Sequence, residues 1–107
     1  MQLDTIGEVI AERVLKRSVN GSEAQEVIVR LGKPQPFPDG NGWFSPFEII
    51  GIGDGKVRWI AGADAFQSLQ LVLRMIPVSL RYKSRDAGVE LFFEKPDDDL
   101  GFPEELS

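Results

Sequence analysis

Through the first part of the chain, apolar and polar positions alternate with a period of two; beyond residue 64 the period lengthens to that of a helix. The clearest alternation is "EVIVRLG", residues 26–32, where Val27, Val29 and Leu31 interleave with Glu26, Ile28 and Arg30. This pattern predicts a strand with one buried face. The preceding "IGEVIAERVLK", residues 6–16, fits two templates. Ile6, Val9, Ile10 and Val14 make a helical stripe, and Thr5 to Glu8 has the spacing of a capping box. Against the helix stand the β-branched residues, the early Gly7 and the run into Asn20-Gly21, a strong hairpin signal. A first hairpin of strands 7–16 and 25–32 is therefore preferred, with the helical reading as the alternative.

"KPQPFPDGNG", residues 33–42, has three prolines and two glycines and predicts a loop through which no regular element runs. "WFSPFEIIGIG" predicts a third strand, with Pro46 at its start or at an edge where no ladder donor is needed. "KVRWIAG" predicts a fourth, with Val57, Trp59 and Ala61 on one face. Between them Gly51, Gly53 and Gly55 alternate and lead to Lys56, which raises the question of a phosphate-binding loop. Such a loop needs Ser or Thr after the lysine and a helix immediately behind it. Here Val57 and a strand follow, so Asp54-Gly55 is expected to be a tight hairpin turn.

The helix begins later. Asp64 suits the N-cap and Gln67 stands three residues on, as in a capping box. Ala65, Leu69, Val72 and Ile76, widened by Phe66 and Leu73, predict an apolar stripe over about 64–77, and Pro77 is expected to end or kink the helix. "RYKSRDAG", residues 81–88, is expected to be a basic turn, and "VELFFE" a last strand with Val89, Leu91 and Phe93 on one face. The fold class predicted is α+β: a mostly antiparallel sheet of four to five strands, a β-meander, with one main helix packed on one face. Residues 1–95 form the single domain, and 96–107 an acidic, mobile tail.

Composition narrows the function more than the fold. The chain has 107 residues with neither cysteine nor histidine. Disulfides, thiolate metal sites, cysteine nucleophiles, Ser-His-Asp triads and histidine-based zinc sites are thereby excluded. No metal or cofactor is expected, and any acid–base chemistry would fall to Asp, Glu, Lys or Tyr. The net charge of −5 disfavours duplex nucleic acid and suits a basic protein partner. The opening "MQLDTIGEV" lacks the features of a signal peptide, and no apolar run is long enough to span a bilayer, so a cytoplasmic protein without a membrane partner is expected.

The candidate binding surface combines aromatics with the tail. Trp43, Phe44 and Trp59 lie near the proline loop and suit either packing at the sheet edge or a binding groove. Asp97, Asp98 and Asp99 lack the alternating ligands, central glycine and closing glutamate of a calcium loop, and are expected to meet solvent or a basic partner. Arg74, Arg81, Lys83 and Arg85, with Lys56 and Arg58, suggest either a basic patch or ordinary charge near a helix C-terminus. Asn20-Gly21-Ser22 fits the glycosylation pattern but is preferred as a turn. An exposed edge strand would also allow a homodimer.

Taken together, "IGEVIAERVL", "VIVRLGKPQP", "WFSPFEIIGIGDGKV" and "GADAFQSLQLVLRMI" resemble a family of small bacterial proteins of unknown function. The likeness spans about residues 6–80 and is most specific in the order Trp, Ser-Pro, Gly-Asp-Gly and Gly-x-Asp-x-x-Gln. Members of that family often carry Cys-Pro where Ser45-Pro46 stands, which argues against shared cysteine chemistry. The resemblance brings no catalytic residue. The expectation is a non-enzymatic adaptor, or an immunity- or antitoxin-like binding module. The alternative is a small-ligand or carboxylate-based enzyme module around Trp43 and Trp59, with a deep pocket beside Asp64 or Glu48.

Overall fold

In the computed structural model, which describes residues 1–18, 24–94 and 100–102, alternation builds the sheet as expected. Strand β1 (Val9–Ser18) pairs antiparallel with β2 (Gln25–Gly32), with Leu15 opposite Val27 and Arg13 opposite Val29. The strand reading of the N-terminal segment is thus the one the chain adopts. Asn20-Gly21-Ser22 lies outside the described residues. Strand β3 (Gln35–Pro36) is a two-residue strand, so the proline loop does admit a brief ladder, onto β4 (Trp43–Ile50). β4 also pairs with β2 and with β5 (Arg58–Gly62).

Pro46 sits inside β4 rather than at its start, opposite Trp59. It lies one residue beyond the last β2–β4 pair, Leu31 with Phe47, where a missing donor costs the ladder least. The Asp54-Gly55 turn is not a tight hairpin. β4 and β5 part after Phe47 and Arg58, while Glu48, Ile49 and Ile50 go on pairing with β2 along the other edge of β4, and residues 51–57 make a longer loop. Its glycines Gly51, Gly53 and Gly55 all take positive φ, and Ile52 drops into the core. A strand follows the loop, as a turn requires and a phosphate-binding loop does not.

Helix α1 (Ala65–Ala87) starts where the sequence places it. The Asp64 carboxylate accepts from the Gln67 amide at 2.8 Å, and the Gln67 side chain accepts from the Ala63 amide at 2.6 Å. It does not stop at Pro77. The helix continues through the "RYKSRDA" segment and ends at Gly88, which takes φ 68°. There the Gly88 and Val89 amides donate to the carbonyls of Arg85 and Ser84 in a Schellman motif. The missing proline amide costs one helical bond, but beyond it Leu80 is fully buried, and that packing carries the helix on. At 1.5 Å per residue, the result is about 35 Å long and spans the sheet from β5 to the far edge. There β6 (Glu90–Phe92) returns to pair with β1, giving the order β3-β4-β2-β1-β6 with β5 on β4.

The core lies between this helix and one sheet face: Leu15, Val27, Val29, Phe47 and Ile49 below, Val72, Ile76 and Leu80 above. Phe66, expected in that stripe, is 76% exposed. It stands two residues before the buried Ser68, about 200° round the helix from it. The class is α+β, with one helix on an open antiparallel sheet. The opposite sheet face carries two cross-strand rows. In one, Arg30 pairs with Glu12 at 2.7 Å and Glu48 at 3.5 Å; in the next, Val14, Ile28 and Ile50 stand side by side.

Candidate functional site

The three aromatic candidates do not form one surface. Successive strand residues point to opposite faces. Ser45 reaches the helix, its hydroxyl 2.9 Å from that of Ser68, so Trp43 shares the helix side and Phe44 the other. Phe44 is buried, in a tilted and edge-on cluster with Phe37 and Trp59 at centroid distances of 5.1 and 6.2 Å. Phe37 and Trp59 meet at 5.5 Å, and Trp59 Nε1 donates to the Met1 carbonyl at 3.3 Å. These rings act as a small second core that ties the proline loop and the N-terminus to the outer sheet face. Asp97, Asp98 and Asp99 lie outside the described residues.

The basic candidates also divide. Arg58 gives two guanidinium hydrogen bonds to Asp54, at 3.0 and 2.9 Å, and Asp54 accepts from the Lys56 amide at 2.9 Å. Lys83 lies beside the same loop, against Gly53. The Arg58 hydrogen bonds, then the Lys56 amide, hold the Asp54 carboxyl well below the usual carboxylate range. A depressed folded-state pKa contributes stability above the unfolded value near 3.8 and loses it as pH falls below that. Asp54→Asn should therefore flatten the fall of the thermal midpoint between about pH 4 and pH 2. Melting curves at those two pH values check this; an equal fall in both proteins would show that the pair is not linked to folding.

Asp64 caps the helix, and Glu48 faces Arg30. A cavity of about 190 Å³ lies between β1, β2 and α1, lined by Val29, Leu31, Leu73, Ile76 and Phe102 among others. The adjoining Arg13 guanidinium is occupied. It donates to the carbonyls of Leu100 and Gly101 at 3.1 and 2.6 Å and lies over the rings of Phe93 and Phe102 at 4.5 and 4.7 Å. That arrangement straps residues 100–102 to the sheet. Among the described residues, no acidic cluster is placed to hold a metal, and no buried side-chain polar atom lacks a hydrogen-bond partner.

The strongest surface feature is one the sequence reading passed over. Leu71, Met75, Val78 and Tyr82 recur at i, i+4, i+7 and i+11 on α1, yet all stand out of the core, with Tyr82 73% exposed and the others 37 to 39%. They run along a separate side of the helix, roughly 130° from the buried Val72–Ile76–Leu80 row by helical geometry. Arg74 and Arg81 flank the stripe, each one residue before a stripe member, and Arg85 lies beyond its end. Across α1 four cations stand against a single carboxylate, Asp86, a net +3 within a chain of −5. The signal was in the sequence, but a helix ending at Pro77 would leave Val78 and Tyr82 outside it.

Fold and surface define an α+β domain whose helix is apolar on two sides. The family model for a domain of unknown function, DUF6968, matches residues 11–104, and the chain belongs to that family. This bears out the resemblance to a family of unknown function and carries it past residue 80 into the C-terminal segment. Neither a curated protein nor a solved structure matches the chain. Among the described residues, no helix is long and apolar enough to cross a membrane.

Proposed function

We propose that this protein is a non-enzymatic protein-binding module and that the outward face of α1 is its binding surface. The observation that carries this reading is the second apolar stripe, Leu71, Met75, Val78 and Tyr82, exposed on a helix whose other side already fills the core. Scattered surface hydrophobics are ordinary, but four in register on one helix face make a contact surface. The chain's lack of histidine and cysteine supports the same reading, as does the full pairing of buried polar side-chain atoms among the described residues. The expectation of a basic partner rests on the net charge of −5 and on Asp97, Asp98 and Asp99, which lie outside the described residues; the charge of the described helix face favours an acidic partner instead.

The test is site-specific photo-crosslinking in the native cell. A photoreactive residue at Met75 or Val78 should trap one protein in a discrete band, and the same residue at Asp39, in the proline loop, should not. Equal trapping at all three positions would remove the helix face from the function.

A further inference from the structure

We infer that the outward face of α1 receives an acidic amphipathic helix from another protein, laid lengthwise along it. This inference rests on the protein-binding reading above and adds the partner's chemistry. Two observations on the helix lead to it. The first is spacing. Leu71, Met75, Val78 and Tyr82 step by four, three and four residues, the repeat of a coiled-coil seam, into which a second helix with the same repeat can interdigitate. The second is charge. Arg74 and Arg81 occupy the flank beside that seam, and Arg85 takes the seam position three residues after Tyr82. Flanking charges select the partner in such pairings, and a row of arginines selects carboxylates.

The same geometry disfavours the other occupants. In an antiparallel pair of two copies, the arginine flanks of Arg74 and Arg81 face each other. In a parallel pair, each Arg85 meets its twin in the seam. Either way like charges meet as the seam closes. An anionic lipid surface would be drawn to the arginines but would also meet the field of a chain of net charge −5. A partner helix contacts the seam and its flanks alone, where the local charge is positive.

The experiment uses the purified full chain and two synthetic helical peptides of about three heptads, with identical leucine seams and either glutamate or lysine at the flanking positions. Fluorescence anisotropy should show the glutamate peptide binding at least about tenfold more tightly than the lysine peptide at about 50 mM salt, with the gap closing at about 300 mM. Met75→Ser should weaken both peptides, and Arg74→Glu with Arg85→Glu should reverse the preference. Equal affinities, a lysine preference, or no binding of either peptide would overturn the acidic partner. Sedimentation showing a dimer that Val78→Asp dissolves would assign the stripe to a second copy. Met75-dependent binding to phosphatidylglycerol vesicles, with no peptide binding, would assign it to lipid. Either result would also overturn the inference. Crosslinking at Met75 separates the two levels: a trapped protein without a charge preference removes only the acidic helix, whereas no trapping above the Asp39 control removes the binding surface itself.

Discussion

Gly62→Ala should destabilise the fold by about 3 kcal/mol, a loss on the order of 10 to 20 °C in thermal midpoint for a domain of this size. A Cβ at that position would overlap the Ser68 amide nitrogen and lie 2.8 Å from the Ser68 Cα. Both are helix backbone, so no side chain can swing aside. Gly62 closes β5, and α1 crosses it at backbone contact. The approach is sealed by two fully buried small residues, Ser45 on β4 and Ser68 on α1, whose hydroxyls share a hydrogen bond. Ser68 Oγ lies 3.0 Å from the Ala65 carbonyl, to which it can also donate. Lifting the helix start by the needed distance would strain the Ser45–Ser68 bond and the Asp64 cap two residues beyond Gly62. Urea denaturation of the two proteins measures the effect. A loss below about 1 kcal/mol would mean that the helix start slides freely on the sheet and that the Ser45–Ser68 contact does not fix it.

Much of this architecture can be read in the chain, and the misreadings share one cause. The strand at 25–32 and the N-cap at Asp64 rest on local signals, period-two alternation and a carboxylate three residues before an amide, and local signals survive folding. The loop at 51–57 and the course of α1 past Pro77 are set by contacts distant in sequence. Ile52 finds a buried site in the core within the loop that parts β4 from β5, and Leu80 finds one that offsets the proline. No window around Asp54 or Pro77 contains that information. The site follows the same rule. Phe44 and Trp59 were candidates as aromatics near a loop, yet tertiary packing with Phe37 turns them into structure. The exposed stripe became visible only once the helix was known to run to Ala87.

Ile76→Ala and Met75→Ser should separate stability from binding at adjacent positions. Ile76 is 1% exposed and packs with Val72 and Leu80 against the sheet. Its truncation leaves a cavity and should cost about 3 kcal/mol, read as a lower urea midpoint with an unchanged slope. Met75, about 100° round the helix, is 39% exposed, and its replacement by serine should shift stability by no more than about 0.5 kcal/mol. Binding should divide the other way. In native cells kept below the Ile76→Ala unfolding temperature, a photoreactive residue at Val78 should still trap the partner when Ile76 is alanine and fail to do so when Met75 is serine. The two readouts must move in opposite directions if α1 presents one face to the core and another to a partner. A Met75→Ser protein as unstable as the Ile76→Ala protein would place Met75 in the core's energetics, and the outward stripe would then be part of the fold rather than a surface reserved for binding.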